Sequence, residues 1–170
     1  TPHEDVVFGT GGGRDLKLDL YEPAGEGPHP TVMLVHGGGW IGGTKESFRP
    51  MAMALAARGF VAATVEYRLA TESVFPGAVE DCKAALRWLR ANASTYGIDA
   101  TRIGAVGGSA GGHLVAMVAT TADPAQFEGS GGNPDQSSAL QAAVLMGAGV
   151  DQATRAQETP KPIQSQLIFF

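Results

Sequence analysis

Two stretches of this chain share one build: an apolar run, a knot of glycines, then a helix-forming segment. The first is Thr31–Val35 followed by His36-Gly37-Gly38-Gly39-Trp40. The second is Arg102–Val106 followed by Gly107-Gly108-Ser109-Ala110-Gly111-Gly112. A run that is apolar throughout, rather than alternating, suits a strand covered on both faces. Glycine then lets the backbone turn sharply out of the sheet. Strands alternating with helices imply the α/β class: a mostly parallel sheet flanked by helices and joined by right-handed crossovers.

The other segments fit that plan. Val6–Gly9 and Leu16–Tyr21 flank Gly11-Gly12-Gly13 and predict an antiparallel hairpin. Apolar and charged residues alternate in Leu16-Lys17-Leu18-Asp19-Leu20, so Lys17 and Asp19 are expected on a wet face. Residues 47–58 predict a helix with Phe48, Met51, Ala52 and Leu55 on one stripe, closed by Gly59. Phe60–Tyr67 reads as another buried strand. A helix is expected over Pro76–Ala91, with Glu80 and Asp81 early and Arg87 and Arg90 late, as the helix dipole favours. Ala110–Thr121 reads as a helix and Leu140–Met146 as a further strand. The terminal run Gln166-Leu167-Ile168-Phe169-Phe170 reads as a strand awaiting a partner, because an open apolar edge invites aggregation.

At 170 residues the chain holds one domain. Its net charge of −5, with 12 scattered basic residues, argues against a nucleic-acid partner. No apolar run approaches the roughly 18 residues of a membrane span. Cys82 is the only cysteine, which excludes an internal disulfide and leaves the compartment open. The chain opens at Thr1 without methionine or signal, as after removal of a leader or trimming. No clustered His, Cys and carboxylate spacing calls for a metal, and no organic cofactor is implied.

The chemistry sits in the two glycine turns. Gly107–Gly111 fits Gly-x-Ser-x-Gly, the nucleophile elbow that holds a serine hydroxyl out of the sheet. Ser109 is therefore the nucleophile candidate for acyl transfer. An attacked carbonyl becomes an oxyanion, and losing one preorganised donor typically costs on the order of 3–4 kcal/mol. The Ala110 N–H, at a helix start, and the N–H groups of Gly38 and Gly39 are the donor candidates. Trp40 is placed either at the substrate entrance or in the core. The bland reading of Gly107–Gly112 is a tight strand–helix turn and nothing more.

A serine hydroxyl needs a base within hydrogen-bond reach. His36 is expected to hold its loop by hydrogen bonds rather than act as that base. His113 lies one helical turn past Ser109 and should be packed or hydrogen-bonded. His3 and His29 read as surface loop residues. In the order Ser, acid, His, the acids after Ser109 are Asp123, Glu128, Asp135, Asp151 and Glu158, with Asp151 the least unsuitable. No histidine is well placed, so the acid and base are expected outside this chain.

The chain resembles the first part of an α/β-hydrolase esterase of the hormone-sensitive-lipase type, and most of all bacterial acetyl- and feruloyl-esterase-like enzymes. The matching stretches are His36–Trp40, Tyr67-Arg68-Leu69-Ala70 with Phe75-Pro76, and Asp81 to Leu89. They continue through Tyr96-Gly97-Ile98-Asp99, Arg102-Ile103, Gly107–Leu114 and Glu128–Pro134. The resemblance implies an acyl-enzyme on Ser109 and an oxyanion hole at Gly38, Gly39 and Ala110. It also implies short-chain or aromatic acyl esters, including carbohydrate esters, as substrates. Two positions depart from the family pattern: Gly108, where an acidic residue is usual, and Thr71, where proline is common. Family members run on with later strands carrying the acid and histidine, so a complementary C-terminal fragment or second chain is expected as partner.

Two rivals remain open. Gly37-Gly38-Gly39-Trp40-Ile41-Gly42 satisfies Gly-x-Gly-x-x-Gly after a strand, with Glu66 near a ribose-binding position, as a dinucleotide site would require. Gly43-Thr44-Lys45 lacks the order of a nucleotide P-loop. The other rival is a non-catalytic subunit that keeps hydrolase motifs as scaffold.

Overall fold

A computed structural model describes residues 2–122, 125–152 and 154. Six strands form one sheet in the order β1-β2-β4-β3-β5-β6. β1 (Pro2–Gly11) and β2 (Arg14–Tyr21) make an antiparallel hairpin, turning at Gly12 and Gly13, both at positive φ. β3 (His29–Val35), β4 (Val61–Val65), β5 (Ile98–Gly108) and β6 (Ala142–Met146) run parallel, with β2 antiparallel to β4.

β3 lies between β4 and β5, with Val35 opposite Val65 on one side and Gly107 on the other. The chain crosses from β3 to β4, then returns past β3 to β5. Both glycine turns therefore leave the sheet side by side at a topological switch point, where open α/β sheets place their ligand crevices. Side chains on β3 alternate between two cores. Met33 and Val35 meet α2 (Gly77–Ala91) and α3 (Ala110–Thr120), through Leu86, Leu89, Leu114 and Val115. Val32 and Leu34 meet α1 (Arg49–Ala56), through Met51, Ala52 and Leu55.

Several expectations need correction. The helix expected over residues 47–58 is shorter: Pro50 sits in its first turn, where its missing N–H costs nothing, and Lys45–Phe48 forms a separate 3-10 turn. β4 is trimmed to Val61–Val65, β6 starts at Ala142, and β5 extends back to Ile98. Asp19 is not on a wet face; it is fully buried, because Lys45 reaches across from the loop after β3 to pair with it. His3 and His29 lie on β1 and at the start of β3, both half-buried. All five β6 residues are exposed. The run 166–170, Asp123 and Glu158 lie outside the described residues. Among those described, no helix is long and apolar enough to cross a membrane.

Candidate active site

Ser109 occupies the bend between β5 and α3 at φ 52° and ψ −116°, a conformation that costs a non-glycine residue about 1–3 kcal/mol. The residue is exposed, and its side chain caps no helix amide, so the hydroxyl is not spent on local structure. The bend is held by the Ser109 N–H donating to the Met146 carbonyl at 2.8 Å. Tight packing supports it: a Cβ at Gly111 would fall 2.1 Å from the Val35 carbonyl oxygen, which only glycine avoids. At Gly108, by contrast, a Cβ would meet Phe48 at 3.4 Å, ordinary contact, so the position has room for a side chain.

The 37–40 loop lies directly against this bend. A Cβ on Gly37 would stand 2.8 Å from the Gly108 carbonyl oxygen and 3.2 Å from Ser109 Cβ. The loop then coils on itself, with the N–H groups of Ile41 and Gly42 donating to the Gly38 carbonyl at 3.2 and 3.1 Å. Nothing lies within 4 Å of where a Gly39 Cβ would be, so that edge of the loop is open. Trp40, at φ 63°, is 6% exposed and packs edge-on to His113 with ring centroids 5.5 Å apart. It walls a small apolar hollow with Phe75, Val79 and Leu114. Gly38, Gly39, Trp40, Ser109 and Ala110 thus belong to two adjoining turns.

Three contacts fix the loop from behind. Tyr67 stacks on His36 at 4.4 Å and donates its hydroxyl to the His36 carbonyl at 3.0 Å. The Ala70 N–H donates to the Trp40 carbonyl at 2.7 Å. Past the loop, Lys45 Nζ lies 2.6 Å from Asp19 and 3.0 Å from Glu46. Burial alone would lower the Lys45 ammonium, but hydrogen bonds to Asp19, Glu46 and Asp5 carry it well above the ordinary lysine value.

His36 is 2% exposed and its Nδ1 lies 2.8 Å from the Gly37 carbonyl. A carbonyl only accepts, so Nδ1 carries the hydrogen, and burial lowers the pKa of the ring. That matches the loop-holding role expected of it. His113 is buried against Trp40, and burial lowers it too. Among the described residues, no histidine or carboxylate hydrogen-bonds the Ser109 hydroxyl. Glu128 is engaged by Lys83 at 2.8 Å, Arg87 at 2.7 Å and Ser138 at 2.7 Å. That cluster borders a cavity of about 490 Å³ beyond the C-terminal end of α3, a helix length from Ser109. Asp151 is exposed and accepts the Thr154 N–H. The described residues offer no group of three His, Cys, Asp or Glu suited to a metal.

The dinucleotide reading loses its footing. Only the short 3-10 turn Lys45–Phe48 follows the glycines, α1 begins at Arg49, and Glu66 is already engaged by the Lys17 N–H and by Arg14. Sequence reasoning did not foresee Asp19, Lys45, Tyr67, Arg68 or Asp81 as supports of the site. Their only signal was that Tyr67–Ala70 and Asp81 fall within the stretches that carry the family resemblance.

The BD-FAE family model matches residues 18–165. Carboxylesterase NlhH of Mycobacterium tuberculosis is 37% identical over 121 residues, covering 70% of this chain and 38% of that protein. An arylesterase of Saccharolobus solfataricus is 39% identical over 109 residues, covering 64% of this chain and 36% of its own length. The apo structure of Thermogutta terrifontis esterase 2 superposes with a TM-score of 0.82 at 32% identity, covering 97% of this chain and 62% of that one. The chain therefore spans well under half the length of these two curated relatives.

Proposed function

The chain belongs to the BD-FAE family of α/β-hydrolase esterases, and from that membership we propose that it carries the nucleophile and oxyanion cradle of a serine carboxylic-ester hydrolase. The observation that carries the reading is the direct packing of the 37–40 loop on the strained, exposed Ser109. Ser109 Oγ attacks the ester carbonyl carbon, and its proton passes to a histidine. The oxyanion that forms takes hydrogen bonds from the N–H groups of Gly38, Gly39 and Ala110. Its collapse breaks the ester C–O bond and expels the alcohol, which takes the proton back from the histidine. Water then cleaves the acyl-serine.

The histidine and its acid come from residues outside those described, in a complementary segment or chain. Two things support this: no described histidine bonds the Ser109 hydroxyl, and the relatives are far longer than this chain. Short-chain and aromatic acyl esters are the proposed substrates. They fit the family resemblance. Trp40 acts mainly as the buried wall beneath the loop, in keeping with its 6% exposure.

The test is hydrolysis of p-nitrophenyl acetate by this chain alone and by the chain completed with its downstream sequence. Turnover by the completed protein, lost in Ser109→Ala, is expected. Turnover that survives Ser109→Ala would remove Ser109 from the mechanism. Full turnover by residues 1–170 alone would show that the base lies within this chain.

A further inference from the structure

All three contacts behind the 37–40 loop come from one short segment that no part of the proposed chemistry uses. Residues 67–70 leave β4 and run beneath the loop. The Tyr67 hydroxyl holds the loop's first carbonyl, that of His36, and the Ala70 N–H holds its last, that of Trp40. Between them, Arg68 turns the other way and grips α2. Its Nε lies 3.0 and 2.9 Å from the two Asp81 oxygens, its Nη2 lies 2.8 Å from Asp81 Oδ1, and its own N–H donates to Asp81 Oδ2 at 2.7 Å. Nη2 also reaches the Gly77 carbonyl at 3.1 Å and Glu80 at 3.2 Å.

A planar guanidinium that presents one edge, Nε and Nη2, to a carboxylate fixes orientation as well as distance. Asp81 is 2% exposed and Tyr67 1%, so neither grip is loosened by water. The anchors differ in kind: a charge-assisted pair at α2, and single neutral hydrogen bonds at the loop. α2 is a 15-residue helix packed on the sheet, whereas the loop has an open edge at Gly39.

We propose that residues 67–70 are a positioning strap, and that the Arg68–Asp81 pair sets the placement of the loop that cradles the oxyanion. Tyr67, Arg68 and Asp81 are positioning residues; none touches substrate. The strap transmits the position of α2 to Gly38 and Gly39 through two main-chain carbonyls. Its catalytic consequence rests on the esterase reading, while its mechanical action does not.

Amide hydrogen exchange on the full chain tests it, with Tyr67→Phe, Asp81→Asn and, as a control, Val118→Ala. Val118 is buried in α3, and its truncation loosens the core without touching the strap. Tyr67→Phe keeps the ring stacked on His36 and deletes one hydrogen bond. The reporters are the N–H groups of Ile41, Gly42 and Ala70, read against those of β3 and β5. Tyr67→Phe should speed reporter exchange about five-fold, the effect of losing one ordinary hydrogen bond. Asp81→Asn should speed it more, and Val118→Ala should leave the ratio of loop to sheet exchange unchanged. Equal acceleration of loop and sheet in the two strap variants would overturn the strap.

In the completed protein, Tyr67→Phe should lower kcat for p-nitrophenyl acetate several-fold and leave KM unchanged. An unchanged kcat beside a loosened loop would also overturn it. Should the wild type fail to turn over at all, the esterase reading falls and the exchange ratios still decide the strap.

Discussion

Lys45 Nζ stands 2.6 Å from Asp19 Oδ1, and the Asp19 carboxylate has no exposed surface. A buried charge is tolerable only while it stays well paired, and Lys45 is the nearer of the two cations on Asp19. Lys45→Ala should therefore destabilise the fold by up to about 3–5 kcal/mol, because it leaves the carboxylate with only the Asp5 N–H and the more distant Arg49 at 3.9 Å. Replacing both partners, Lys45→Met with Asp19→Leu, should recover most of that loss. Urea unfolding at unchanged m-value measures both, and equal losses in the single and double variants would show that packing, not charge, is at stake.

Acid should unfold the chain in two stages. Burial holds His36 and His113 below their ordinary 6.5, so the folded state refuses protons that the unfolded chain accepts. That stability is complete above 6.5 and drains as pH falls below it. Carboxylates supply the second stage. Glu46 is held to about 2 by hydrogen bonds from Thr44 and Lys45. Burial would raise Glu128, yet hydrogen bonds from Lys83 and Ser138 and the Lys83 and Arg87 charges keep it below its ordinary 4.5. Their contribution is present above 4.5 and is lost on the way down. Melting temperatures followed from neutral pH to about pH 3 should show both declines, with Glu128→Gln flattening only the lower one.

Ser109→Gly should stabilise the protein and, in the completed protein, abolish the proposed ester hydrolysis. Glycine relieves the φ 52° conformation, a gain of about 1–3 kcal/mol, against roughly 0.5–1 kcal/mol for its freer unfolded chain. Ser109→Ala keeps the strained backbone and should shift stability by less than about 0.5 kcal/mol. Thermal unfolding of the pair separates backbone strain from loss of the hydroxyl. Equal melting temperatures would mean the bend stores no strain.

The plan of the fold was legible because periodicity and glycine report local geometry. The runs at Thr31–Val35 and Arg102–Val106 became β3 and the core of β5, and the turn residues marked both bends. What stayed hidden was pairing across long sequence separations. The alternation around Asp19 reads as an ordinary half-wet strand, and nothing local reveals that Lys45, 26 residues on, covers it. Asp81 looked like a dipole-favoured acid early in a helix, while its partner Arg68 lies 13 residues upstream. The bend at Ser109 could be read from spacing; the contacts that back the neighbouring loop could not.

β3 and β5 are adjacent rungs of one ladder, with Val35 facing Gly107. The serine and the amides proposed to receive the oxyanion thus leave the sheet from neighbouring strands, so the ladder fixes where both turns begin. Substitutions in walls away from β3, β5 and residues 67–70 are then free to reshape the surroundings while both turns keep their common starting point.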